Sequence, residues 1–106
     1  MLVLEPDAEV RELLRRVLVR LGHEPLTPAK LPLSGLPQVD AVVLEPAWAP
    51  ALELATELRA QNEGLAFVFV SMELPGGEST ALRPRRRLLK PFGLGDLEEA
   101  IRAVLP

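Results

Sequence analysis

Three short runs, Leu2 to Leu4, Ala41 to Leu44 and Leu65 to Val70, are apolar at every position rather than at every second one. A strand with one wet face alternates, so runs of this kind are strands buried on both faces, as in parallel sheets covered by helices. Arg87 to Leu89 is a shorter fourth run, and Glu24 to Thr27 can add a short edge strand. The chain between the runs has a helical period, and alternation of strand and helix gives an open α/β domain.

The helices are readable one by one. Val10, Leu13, Leu14, Val17, Leu18 and Leu21 make one apolar stripe. Asp7 is placed to cap that helix, with Glu9 and Glu12 toward its positive end and Arg15, Arg16 and Arg20 toward its negative end. Gly22 can supply the left-handed stop. A second helix is predicted from about Pro50 to about Gln61, with Ala51, Leu54, Ala55 and Leu58 on one face. At the end of the chain, Asp96 and Glu99 resemble a capping box ahead of Leu97, Ala100, Ile101, Val104 and Leu105. The stretch PAKLPLSGLPQ has too many breakers for a full helix, and ELPGGESTALRP holds at most a short turn at about Glu78 to Leu82.

The tetrapeptide VLEP occurs twice, at Val3 to Pro6 and at Val43 to Pro46. Each copy ends a strand on a carboxylate, and in open α/β sheets ligands sit beyond the carboxyl ends of the strands. If those two strands are neighbours, Glu5 and Glu45 meet in one crevice. The proline after each breaks the ladder as the chain leaves the sheet.

With 106 residues, the chain is expected to be one domain spanning 1–106, without an output domain. A net charge of −3 creates no global field for nucleic acid or an acidic membrane. With no cysteine there is no disulfide framework and no thiol nucleophile, and neither a signal peptide nor a membrane-spanning run is visible. A cytoplasmic location is the expectation.

Taken together, these segments resemble the receiver domain of two-component response regulators. MLVLEPDAEVRELLRRVLVRLGHEP looks like its first strand, acidic loop, first helix and second strand, and VDAVVLEPAW like the third strand with the phosphoryl-accepting aspartate. AFVFVSM is similar to the fourth strand with its terminal hydroxyl, and RRLLKPFGLGDLEEAIRAVL to the fifth strand, its Lys-Pro step and the last helix. The resemblance implies a flavodoxin-like, CheY-like three-layer sandwich. Its five-stranded parallel sheet runs in the order 2-1-3-4-5, here with reduced second and fourth helices. It puts Glu45 at the phosphoacceptor position, Glu5, Pro6 and Asp7 in the acidic pocket, and Ser71, Lys90 and Pro91 at the switch and phosphoryl-contact positions.

The departures from the pattern concern the chemistry. Pro6 replaces the second acid and offers Mg²⁺ no side-chain oxygen, so metal affinity should be poor and no cofactor is expected. Glu45 is one methylene longer than aspartate, about 1 Å of carboxylate displacement where alignment supplies most of the catalysis. Two readings of Glu45 follow: a carboxylate that mimics the phosphorylated state with Lys90 and Ser71, or a structural ion pair with Lys90. The functional expectation is a degenerate pseudo-receiver, not an enzyme, that signals by protein contact without phosphate. The alternatives are a working phosphoacceptor in a two-component phosphorelay and a small-ligand or nucleotide sensor using the same crevice.

The partner is an unidentified signalling protein. A homodimer through the fifth strand and last helix is a further possibility, with Arg85, Arg86, Arg87, Phe92 and Trp48 as candidate interface residues. The run RPRRR from Arg83 to Arg87 lacks interleaved aromatics and a helix to present it, so it reads better as an edge-strand gatekeeper than as a nucleic-acid site. His23, the lone histidine, has no serine or carboxylate arranged around it as a triad.

Overall fold

The structure is a computed structural model that describes residues 1–31, 33, 35–72 and 81–104. Its elements follow in the order β1 (Leu2–Leu4), α1 (Ala8–Arg20), β2 (Ala41–Leu44), α2 (Ala49–Gln61), β3 (Ala66–Ser71), β4 (Arg86–Leu89) and α3 (Leu94–Val104). The strands form one parallel sheet in the order β1-β2-β3-β4. Val3 stands opposite Val43, so the two VLEP copies lie side by side in register.

The expected edge strand at Glu24 to Thr27 is reduced to one parallel bridge, Leu2 to Leu26, on the free side of β1. Val3 N–H donates to Leu26 O, and Leu26 N–H to Met1 O, each at 2.8 Å. Pro25 and Pro28 lack the N–H groups that a longer ladder would need. The spatial order is that of a 2-1-3-4-5 sheet, with its second strand shortened to a bridge.

Alternate strand residues feed two cores. Val3, Val43, Val68 and Val70 meet Leu14, Val17 and Leu18 of α1 and Leu97, Ala100, Ile101 and Val104 of α3. Leu2, Leu4, Val42, Leu44, Phe67 and Phe69 meet Ala51, Leu54, Ala55 and Leu58 of α2. β1, β2 and β3 are buried along their whole lengths, as their uninterrupted apolar runs require. β4 is different: Arg86, Arg87 and Leu89 are exposed, which suits an edge strand protected by charge.

The helix limits hold at α1. Asp7 Oδ1 accepts from Glu9 N–H at 2.9 Å and from Val10 N–H at 3.3 Å, and Gly22 has φ +89° after the last turn. Leu13, assigned to the buried stripe, is instead exposed, because α1 presents only Leu14, Val17 and Leu18 squarely to the sheet while Val10 and Leu21 are half-buried at its margins. α2 begins at Ala49 with Pro50 in its first turn. α3 begins at Leu94, three residues before Leu97, where the capping box would start it. Leu97 N–H donates to Gly93 O, and Asp96 lies within the first turn.

Among the described residues no helix forms between the Leu26 bridge and β2. The short turn expected at Glu78 to Leu82 falls partly outside the described residues; Ala81 and Leu82 are in a turn. Leu105, the last residue of the expected stripe, also lies outside them. His23 is half-buried just after the helix stop, where its N–H donates to Leu18 O at 2.9 Å.

Candidate functional site

Parallel strands end on the same side of a sheet, so β1, β2, β3 and β4 deliver Glu5, Glu45, Ser71 and Lys90 to one corner. Glu5 is fully buried, while Glu45 and Ser71 are 7% and 5% exposed. Glu45 N–H donates to Leu4 O at 2.9 Å, and Lys90 N–H to Ser71 O at 2.8 Å, which continues the ladders one residue past the strands.

The Lys90 ammonium bridges both carboxylates, with Nζ 2.6 Å from Glu5 Oε1 and 3.1 Å from Glu45 Oε2. The other two oxygens are taken by the turns that follow. Asp7 N–H donates to Glu5 Oε2, and Ala47 N–H to Glu45 Oε1, each at 3.0 Å. Each proline of the VLEP copies thus sends the next amide back onto its own glutamate, and every carboxylate oxygen of the pair is engaged by the chain itself. Burial works against the Lys90 charge, but the bonds and attraction from Glu5 and Glu45 outweigh it and raise its pKa above the ordinary lysine value.

Asp7 is exposed and its Oδ1 is committed to the helix cap, while Pro6 is exposed and contributes only a carbonyl. Arg11 was not singled out in the sequence. Its Nη1 donates to Glu5 O at 3.0 Å and Pro6 O at 3.5 Å, tying the acidic turn to α1. The available signal was its position one turn beyond the Asp7 cap, on the side of the helix that returns over the strand end.

Pro91 is exposed and follows a cis peptide bond from Lys90. Trp48 and Phe92 are half-buried on opposite faces of the sheet, Trp48 against the α2 core and Phe92 against the α1–α3 core. Arg85, Arg86 and Arg87 are exposed, Arg85 just before β4 and the other two within it.

Mg²⁺ asks for six oxygens in near-ideal octahedral positions. Here the inward carboxylates are already held by Lys90 and backbone amides, Pro6 offers no side-chain oxygen, and Asp7 caps a helix. This donor set does not fit the ion. Among the described residues no group of three or more His, Cys, Asp or Glu side chains is arranged to hold a metal.

A parallel sheet in this order, with α1 and α3 on one face and α2 on the other among the described residues, is the CheY-like form of the flavodoxin-like fold. Solved structures of receiver domains share it over nearly the whole chain. The chemotaxis protein CheY4 of Vibrio cholerae superposes with a TM-score of 0.79 at 19% identity, covering 98% of this chain and 96% of that one. The response regulator TrrA of Thermotoga maritima, solved in complex with Mg²⁺ and beryllofluoride, gives 0.76 at 23% identity, with 98% and 96% covered. A signal receiver domain of a two-component histidine kinase from Clostridium thermocellum gives 0.79 at 17% identity, with 98% and 94% covered. No family model and no curated protein sequence matches the chain. At these identities the likeness is one of fold.

Proposed function

We propose that this chain is an atypical receiver-like signalling module that acts by protein contact, independently of phosphorylation and of Mg²⁺. The observation that carries this reading is the closed triad of Glu5, Lys90 and Glu45, in which Lys90 and two backbone amides occupy all four carboxylate oxygens. A phosphoacceptor must offer a free oxygen for in-line attack, and a metal must find open ligands beside it. Pro6 stands in place of the second acid of the pocket, and Glu45 puts a longer side chain at the phosphoacceptor position, so both requirements fail at the same corner. Of the two readings of Glu45, the geometry favours the structural ion pair, because the carboxylate also closes its own turn through Ala47 N–H.

The test is a backbone NMR titration with Mg²⁺, followed by beryllofluoride or a small phosphodonor, watching Glu5, Glu45, Ser71 and Lys90. The expected result is no saturable shift at any of the four, with intact mass unchanged by the phosphodonor. Saturable shifts there, or a mass gain of one phosphoryl group, would make the protein a working phosphoacceptor instead.

A further inference from the structure

The segment between the Leu26 bridge and β2 holds Leu31, Leu33 and Leu36 between Pro28 and Pro37, and among the described residues it forms no helix to cover its flank of α2. The three leucines lean on the α2 core from a loop and stay half-buried. They leave a cavity of about 300 Å³ whose other wall is Pro50, Glu53, Leu54 and Glu57 of α2. Gly35 also lines it, exposed, and a Cβ added there would meet no atom within 4 Å. A space of this size is at the lower end of ligand cavities, about 300–1,000 Å³, and suits a few apolar side chains better than a large ligand.

The charges on its α2 wall are uncompensated. In α1, Glu12 pairs with Arg15 and Arg16, and in α3, Glu98 pairs with Arg20 and Arg102. Glu53 and Glu57 are exposed, and among the described residues neither has an ion pair or a side-chain hydrogen bond. Like charges four residues apart are unfavourable for a helix left to itself. Arg59 is the one basic residue of α2, and its guanidinium is committed to Glu63 O and Leu82 O over the Phe67 ring. It lies on the far side of α2, where the same two glutamates border a second cavity. Toward the leucines no cation lines the cavity, and Lys30, exposed just before Leu31, pairs with neither glutamate.

We propose that the groove between α2 and the loop carrying Leu31, Leu33 and Leu36 docks a basic amphipathic helix of a partner protein. This rests on the reading of the chain as a module that acts by protein contact, and it names the surface and the chemistry of the partner. Glu53 and Glu57 are one helical turn apart, about 6 Å between Cβ atoms. Lysines or arginines one turn apart on a helix laid along α2 meet both carboxylates, while its apolar side chains enter the space between Leu33, Leu36 and Leu54.

The experiment is a titration of the ¹⁵N-labelled protein with a capped synthetic helical peptide of alanine, leucine and lysine, its leucines three or four residues apart and its lysines beside them. One control peptide has alanine for every leucine at the same charge, and another has glutamate for every lysine. The expected result is saturable shifts at Leu33, Gly35, Leu36, Glu53 and Glu57 with the first peptide alone. Glu53→Gln with Glu57→Gln should weaken that binding by about fivefold or more. Glu9→Gln with Glu99→Gln removes the same charge from exposed positions on α1 and α3 and should leave it unchanged. No saturable shift at millimolar peptide, equal binding of the leucine-free peptide, equal weakening in the two double variants, or shifts centred away from α2 would each overturn the site. The corner residues Glu5, Glu45, Ser71 and Lys90 should not move with peptide. They report on Mg²⁺ and beryllofluoride, so the phosphorylation-independent reading and the docking groove fail separately.

Discussion

Lys90 is the residue on which the corner depends, because removing one member of a buried ion cluster leaves the others uncompensated. Breaking such a cluster typically costs about 3–5 kcal/mol, so Lys90→Met should lower the unfolding free energy at pH 7 by about 3 kcal/mol in urea titrations. Its pH dependence is unusually clean to measure. The chain has no tyrosine and no cysteine, and Lys30 and Lys90 are its two lysines. Lys30 is exposed. The folded Lys90 pKa is raised above the ordinary 10.5, so its contribution is fully present below that value and is lost as pH climbs through the folded one. The gap between wild type and Lys90→Met should therefore narrow above about pH 10.5. A gap that stays constant through the alkaline range would assign the loss to the packing of the lysine stem instead of its charge.

At the scale of elements, the turn after β1 has to serve two structures, since Asp7 caps α1 through its side chain and closes on Glu5 through its N–H. Asp7→Ala should cost about 1 kcal/mol from the lost cap, and Asp7→Ser should recover most of it in the same urea titration. Recovery by Ser but not by Ala separates the cap from the backbone bond, which both variants keep. The limits of α1 were legible because cap, charge gradient and glycine stop all agree at Asp7, Arg20 and Gly22. The start of α3 was not, since an acidic residue followed three positions later by glutamate satisfies the positive end of a helix from inside the first turn as well as from the cap. The shortened second strand was legible only as a weak edge: Pro25 and Pro28 limit its donors, but nothing local says that a single bridge remains. Leu13 shows the same limit from another side, as periodicity names a stripe without saying how widely the sheet covers it.

For the molecule as a whole, the repeated VLEP was the most informative signal, because parallel neighbouring strands in register must bring identical ends together. What the repeat did not reveal is that one lysine serves both glutamates. That depends on the β3–β4 register, where Ser71 faces Leu89 and Lys90 is thrown one residue beyond the sheet into the gap. A corner closed in this way ties the ends of β1, β2 and β4 together, and the two cores on either side of the sheet hold the same strands from Leu2 to Val70. A phosphomimetic corner would hold the domain in one of two conformations, so disturbing it would move distant elements; a structural clamp would weaken the fold and move nothing far away. Glu45→Gln and Glu45→Asp separate these cases. The expected outcome is lower stability in both, by about 1–3 kcal/mol for the Gln variant, which keeps the shape but loses the charge-assisted bond. Amide shifts should be confined to Glu5, Glu45 to Ala47 and Lys90. Shifts that reach Val68, Arg86 and the body of α3 would show a second packing of the molecule under the control of Glu45, and the clamp would then be a switch.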